Sequence, residues 1–348
     1  MNKLTKVGCS ALCGSLAAIA SANAGSLTAV GGADLTFTSL GQDVTGQPIG
    51  MGSNVTFKGS GELDNGWTFN LAIANANGGA FSAANVTIDM LGLGKVNFNQ
   101  GNSGNGIAAF DDKMPTAWEE AWGAGLSGGV KTVLGSGASQ NVMYTSPTKV
   151  GTTLTVTYAH EYGAADNNDK GTKSANNDAG ASYDVTLNMN PSLGTEILSG
   201  LNIFAGGSVI ESRGNAATEE DQYQGVGGFT YALGPLEIGA QVSGLYTGQE
   251  DPGSHIFNTY KNNAFGVAFN VNDDLSVSYG EYKSRKAGYT GTNAQVGENN
   301  RVVEVTSMQA AYTMGGASFR IADVNVDNNL FSGGVDRNAT VVSLGLAF

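Results

Sequence analysis

The chain has 348 residues, 41% of them hydrophobic and only 14% charged, with 52 Gly, a net charge of −13 at pH 7 and a mean hydropathy of −0.10. The charged share lies well below the roughly 25% of soluble domains and Gly at about twice its usual share of roughly 7%, so the bulk is polar but uncharged. The acid excess excludes an electrostatic footprint for nucleic acid or an anionic membrane surface, and 14 Phe, 12 Tyr and 3 Trp argue against disorder. Beyond the N-terminus no run approaches the roughly 20 apolar residues of a membrane-spanning helix.

At the N-terminus, Lys3 and Lys6 precede a nearly uncharged stretch from Val7 to Ala20 that closes in Ala22-Asn23-Ala24, the small-x-small pattern of signal-peptide cleavage. Residues 1–24 are therefore predicted to be removed, leaving one domain over 25–348. Cys9 and Cys13 both fall in this leader, and neither sits in a lipoprotein-processing pattern: Leu12 precedes Cys13, and Lys6 lies three before Cys9. The mature chain then has no cysteine, so an exported protein of this size must be held by something other than disulfides. A sheet closed by its own hydrogen-bond ladder suffices.

Period-2 alternation recurs along the rest of the chain, and helix signals are nearly absent. Trp67, Phe69, Leu71 and Ile73 alternate with Thr68, Asn70, Ala72 and Ala74, and Tyr183, Val185, Leu187 and Met189 alternate with Ser182, Asp184, Thr186 and Asn188. In chain order the pattern predicts sixteen strands, near 26–38, 52–63, 67–77, 82–90, 94–100, 139–147, 150–162, 179–189, 200–212, 222–233, 235–248, 260–270, 275–285, 301–314, 317–326 and 338–348. The connections alternate in length, and the short ones carry turn chemistry, as in Asp64-Asn65-Gly66, Gly234-Pro235, Asn272-Asp273-Asp274 and Gly315-Gly316, while the one after Met189, beginning Asn190-Pro191, is longer. The others, such as 163–178 and 286–300, are long and rich in Asn, Asp and Gly.

Unequal connections alternating by parity are what antiparallel strands produce when they run up and down between two different compartments. A soluble sandwich has no reason for that parity. In a transmembrane barrel the apolar face meets lipid and the polar face lines the lumen, which reconciles the near-neutral hydropathy with membrane insertion. Aromatics near strand ends, including Trp67, Tyr144, Tyr158, Tyr231, Tyr246, Tyr279 and Tyr312, suit interfacial girdles. The final strand places Val342, Leu344, Leu346 and Phe348 on one face and ends on an aromatic residue.

With this architecture the chain resembles the general bacterial porins of Gram-negative outer membranes. The segment Gly52 to Trp67, containing Phe57-Lys58-Gly59-Ser60-Gly61-Glu62-Leu63-Asp64-Asn65-Gly66, is similar to a strand–turn–strand piece of that family. The low charge and the stretch Asp111-Asp112-Lys113-Met114-Pro115-Thr116-Ala117-Trp118-Glu119-Glu120 look like porins of marine alphaproteobacteria. The resemblance implies a sixteen-stranded antiparallel transmembrane β-barrel in the bacterial outer membrane. It also implies a homotrimer among outer-membrane lipids and lipopolysaccharide, passing small hydrophilic solutes. It further implies that the third long connection, here 101–138, folds into the lumen.

Such a channel requires no cofactor, only inward charges at a constriction. On the loop, Asp111, Asp112, Glu119 and Glu120 surround Lys113 and predict a mild cation preference. On the wall, strand parity turns Lys58, Lys95 and Arg320 inward as a basic side, while Asp184 and Glu237 share lumen parity and make the wall partly acidic. The acidic stretches Asp166–Asp169 and Glu219-Glu220-Asp221 lack calcium-loop spacing. His160 and His255 sit in no Ser/His or zinc arrangement, so neither enzymatic nor metal chemistry is indicated. Two other readings stay open: a channel selective for one nutrient class, and a secreted adhesin-like β protein.

Overall fold

In the computed structural model, residues 25–41, 48–77, 79, 82–137, 139–164, 179–191, 198–212, 220–248, 257–288 and 301–347 are described. The leader 1–24, the acidic stretch 166–169, Glu219, His255 and Phe348 lie outside them. Sixteen strands follow one another: β1 (Leu27–Leu40), β2 (Ile49–Glu62), β3 (Thr68–Ala76), β4 (Ala83–Asp89), β5 (Lys95–Gln100), β6 (Asn141–Thr145), β7 (Thr152–Ala159) and β8 (Ala179–Met189). Then come β9 (Leu201–Ser212), β10 (Gln222–Leu233), β11 (Leu236–Tyr246), β12 (Phe257–Asn270), β13 (Leu275–Gly288), β14 (Val302–Met314), β15 (Ala317–Asp327) and β16 (Arg337–Ala347).

Each strand pairs antiparallel with its neighbours in sequence, and β1 pairs with β16 to close the ring, with Leu35 opposite Leu344 and Phe37 opposite Val342. Closure leaves no open edge, as a sheet in lipid requires. All sixteen predicted strands are present. The ends differ by a few residues: β2 begins at Ile49, β7 is confined to Thr152–Ala159, and β13 continues to Gly288.

The short turns form where the sequence places them. At 63–67 the Leu63 amide donates to the Trp67 carbonyl at 2.7 Å, and the Asn65 side chain accepts from the Trp67 amide at 3.1 Å. At 271–274 the Asn272 side chain accepts from the amides of Asp274 and Leu275, both at 2.9 Å. These local hydrogen bonds fix the register of the hairpins.

The outer face carries the exposed apolar side chains, among them Phe57, Ile73, Phe98, Val156, Val185, Phe229, Phe265, Phe319, Ile321 and Val342. No helix among the described residues is long and apolar enough to cross a membrane.

The inner face departs from simple apolar-out, polar-in alternation on the far halves of β14 and β15. Val303, Val305, Ala322, Val324 and Val326 point inward and are buried, while Asp323, Asn325 and Asp327 point outward. These valines are covered from inside by the β5–β6 connection, which is the loop predicted to enter the lumen.

Candidate pore constriction

The β5–β6 connection leaves the barrel rim at Gly101 and runs along the inner wall before returning to β6. A 3-10 turn at Gly106–Phe110 seats it against β8 and β9, where Ile107, Phe110, Met114 and Val133 pack with Phe204, Val226, Ala264 and Tyr282. Farther along, Ala121 and Ala124 pack on Val303, Val305, Ala322, Val324, Val326 and Phe331. Fully burying a Val or Phe is worth about 1.5–3 kcal/mol, so these two apolar patches are the main hold on the loop.

Close approach is possible because the wall is stripped of side chains beneath the loop tip. A β-carbon on Gly266 would lie 2.7 Å from the Pro115 carbonyl oxygen and 2.9 Å from Met114 Cβ, and one on Gly239 would lie 2.6 Å from Pro115 Cδ.

Wall side chains then satisfy the loop's amides, which an irregular segment away from water must arrange. Asp184 of β8 is wholly buried and accepts from Ile107 N–H at 3.2 Å and from Ser136 N–H at 3.1 and 3.0 Å, tying together the two ends of the loop. Gln224 of β10 accepts from the amides of Leu134 at 2.7 Å and Gly135 at 3.1 Å. Tyr282 of β13 donates to the Lys131 carbonyl at 3.0 Å, and Ser278 accepts from Ala117 N–H at 2.9 Å. Gln309 of β14 accepts from Glu119 N–H at 2.9 Å and donates to the Glu119 carbonyl at 2.6 Å. Beyond the loop's own base, these bonds fall on β8, β10, β13 and β14.

The predicted acids do not share one environment. Asp112 and Glu119 are exposed. Glu120 is buried, accepts from Met114 N–H at 2.9 Å, and its carboxyl is pushed up to about 8 by burial, with the neighbouring acids adding to the shift. Asp111 is half-buried and rises to about 6 through loss of water and the adjacent Asp112. Desolvation also raises Glu119, against the pull of Arg320. Near neutral pH the loop is therefore less acidic than a count of its carboxyl groups gives.

The three wall cations are dispersed. Lys95 stands beside the short β4–β5 turn and pairs with Asp89 at 3.2 Å. Arg320 of β15 pairs with Asp34 of β1 at 2.8 Å, and its guanidinium lies 5.8 Å from the Trp118 ring centroid, next to the loop tip. Lys58 of β2 is exposed and makes no ion pair among the described residues. It lines a concavity of about 350 Å³ with Ser26, Thr28, Ser60, Asn70 and Asn85.

Asp184 has the lumen parity read from the sequence, but it lies beneath the loop instead of lining open wall. Asp34, Trp118, Gln224 and Gln309 complete the arrangement and carry no local motif. No group of three or more metal-ligating side chains occurs among the described residues.

The chain forms a closed barrel, apolar outside, with its own loop pinned against the inner wall. A model of the Gram-negative porin family matches residues 8–300, and the chain belongs to that family. It is accordingly a channel protein of the outer membrane and not an enzyme.

Among solved structures, the chain is similar to the outer-membrane channel DcaP of Acinetobacter baumannii at 12% identity and a TM-score of 0.65, over 93% of this chain and 97% of that one. It is also similar to Salmonella typhi OmpF in complex with daunomycin, at 10% identity and a TM-score of 0.67, over 92% and 97%. An anion-selective porin from Comamonas acidovorans aligns at 13% identity and a TM-score of 0.65, over 93% and 100%. At these identities the likeness is one of fold. No curated protein sequence matches.

Proposed function

We propose that the protein is a homotrimeric diffusion porin for small hydrophilic solutes and ions with a mild cation preference. Residues 1–24 serve as its cleaved export signal. The observation that supports the selectivity is the exposure of Asp112 and Glu119 on the loop, facing a wall whose Lys95 and Arg320 are each paired with a carboxylate; Lys113 and Lys131 of the same loop make no ion pair among the described residues and hold the preference to a mild one. Of the three wall cations, Lys58 makes no ion pair among the described residues. The barrel alone does not fix the sign, since a similarly related structure is described as anion-selective; fixed charges along the lumen do.

Proteoliposome swelling with neutral sugars of increasing size tests the diffusion reading. Rates should fall smoothly with solute size and stay linear in concentration. Saturation with one sugar class would instead identify a nutrient-selective channel. A heat-dissociable band of three chains on detergent gels tests the trimer, and a mature N-terminus at Gly25 tests the signal peptide.

A further inference from the structure

Where β14, β15, β16, β1 and β2 meet, the inner wall holds a concavity of about 300 Å³ beside the short turn at Gly315-Gly316, at the low end of the roughly 300–1,000 Å³ of ligand sites. Its floor is bare backbone at Gly32, Gly316 and Gly345, and Asn54, Thr313 and Ser318 stand around it. A strand rising about 3.4 Å per residue at a tilt of roughly 40° places Arg320 about 10 Å above that turn, next to the loop tip.

An ion pair lies across this floor. Asp34 of β1 is in register with Gly345 of β16, and Gly345 with Ser318 of β15, so the carboxylate and the guanidinium meet over a position that carries no side chain. A β-carbon on Gly345 would lie 2.5 Å from Arg320 Nη2 and 2.8 Å from Asp34 Oδ1. The pair is made through one nitrogen and one oxygen: Arg320 Nη1 donates to Asp34 Oδ1 at 2.8 Å, while Nε donates to Ser318 Oγ at 3.3 Å. Arg320 Nη2 and Asp34 Oδ2 make no hydrogen bond among the described residues. The side chains stay 49% exposed at Asp34 and 24% at Arg320. On the loop side the Trp118 ring, with its centroid 5.8 Å from the guanidinium carbon, backs Arg320, and Glu119 lies within electrostatic reach of both charges.

We infer that this concavity is a transit site for small zwitterions of the α-amino acid type, with the solute's ammonium toward Asp34 and its carboxylate toward Arg320. A monocation would satisfy Asp34 and be repelled by Arg320, and a monoanion the reverse. A zwitterion laid antiparallel to the pair meets an opposite charge at each end, and an α-amino acid carries its two charges on one carbon, close enough together to match a pair in direct contact. The open Oδ2 and Nη2 then gain charge-assisted partners without loss of the existing bond. Glu119 adds a second acceptor for the ammonium. The site is open to the lumen, so the solute is held briefly and released, as conduction requires. The inference rests on the diffusion reading of the channel and names one solute class for it.

The test compares L-alanine with lactamide, its uncharged isomer of equal size, by swelling of proteoliposomes that carry the wild-type oligomer. Alanine entry should saturate with concentration while lactamide entry stays linear, and alanine should reduce the ionic current in a planar bilayer over the same concentration range. Asp34→Asn and Arg320→Gln should each raise the half-saturating concentration about tenfold, the low end for a hydrogen bond to a charged group. The double variant should make alanine as linear as lactamide, and Asp64→Asn at a distant turn should change nothing. Sodium propionate and propylammonium chloride should not saturate over that range. Alanine as linear as lactamide in the wild type overturns the inference whether or not the variants fold, and so do saturation by either singly charged solute and saturation that survives in the folded double variant. Linear entry of both isomers through a conducting pore removes the site alone, whereas a folded barrel that passes neither removes the channel reading and the site with it.

Discussion

Replacing Asp184 with Ala probes how the loop is held across the lumen. The side chain is wholly buried and receives one backbone amide from each end of the loop, Ile107 at 3.2 Å and Ser136 at 3.0–3.1 Å. Removing the acceptor strands two buried donors, each costing about 1–3 kcal/mol, so the seated loop loses on the order of 3 kcal/mol relative to a lifted one. That loss corresponds to roughly a 150-fold rise in the lifted population, at a factor of ten per 1.4 kcal/mol. The apolar contacts beneath Phe110 and Ala121 remain, so the barrel should still fold and the loop should still close most of the time. Single-channel recording should show brief excursions to a larger conductance that the wild type lacks. Asp184→Asn, which keeps one acceptor oxygen, should be intermediate, and Asp64→Asn at a short turn should be silent. A folded Asp184→Ala barrel with wild-type conductance and noise would refute the argument.

Gly266→Val should push the Met114–Pro115 tip off the wall and into the bore, because its β-carbon alone meets the Pro115 carbonyl oxygen at 2.7 Å. Swelling rates for the largest permeant sugar should then drop more than those for the smallest. Raising the pH from 5 to 9 should strengthen cation preference, as Asp111 and Glu120 lose protons near about 6 and about 8. Reversal potentials of the variant Asp111→Asn, Glu120→Gln should flatten that dependence. Because the folded Glu120 keeps its proton above its ordinary value of 4.5, the loop seat loses stability as pH rises toward about 8, and channel noise should grow above that pH. Arg320→Gln should unmask Asp34 and increase cation preference; its partly exposed ion pair makes the stability change less than about 1 kcal/mol, checked by thermal melting.

The barrel was legible because lipid demands an outward apolar period along most of the strands, and hairpins advertise their turns through residues such as Asn65 and Asn272. The basic wall was legible only in part. Parity turns Arg320 inward, but its partner Asp34 is distant in sequence and is brought near only by the closure of β1 on β16. Lys95 carried a usable signal: it is the first residue after a tight turn whose other side ends in Asp89, a position that places it at the rim.

The pins of the loop were hidden for a physical reason. Asp184 and Gln224 sit in ordinary polar-inward positions, and only the loop lying over them makes them buried acceptors. The loop's bed did leave a trace, since the apolar period of β15 changes parity between Ile321 and Val324. That inversion marks a wall covered from inside, and it leaves Asp323, Asn325 and Asp327 on the outside.

The central claim, a water-filled bore whose exposed loop acids set its charge preference, is tested most directly by the reversal potential across a salt gradient in a planar bilayer. The measurement compares the wild type with Asp112→Asn at pH 7.5. Stepwise conductance with a cation-selective reversal, reduced in the variant, is the expected result. A correctly folded barrel that does not conduct, or one that is anion-selective and indifferent to Asp112, would contradict it.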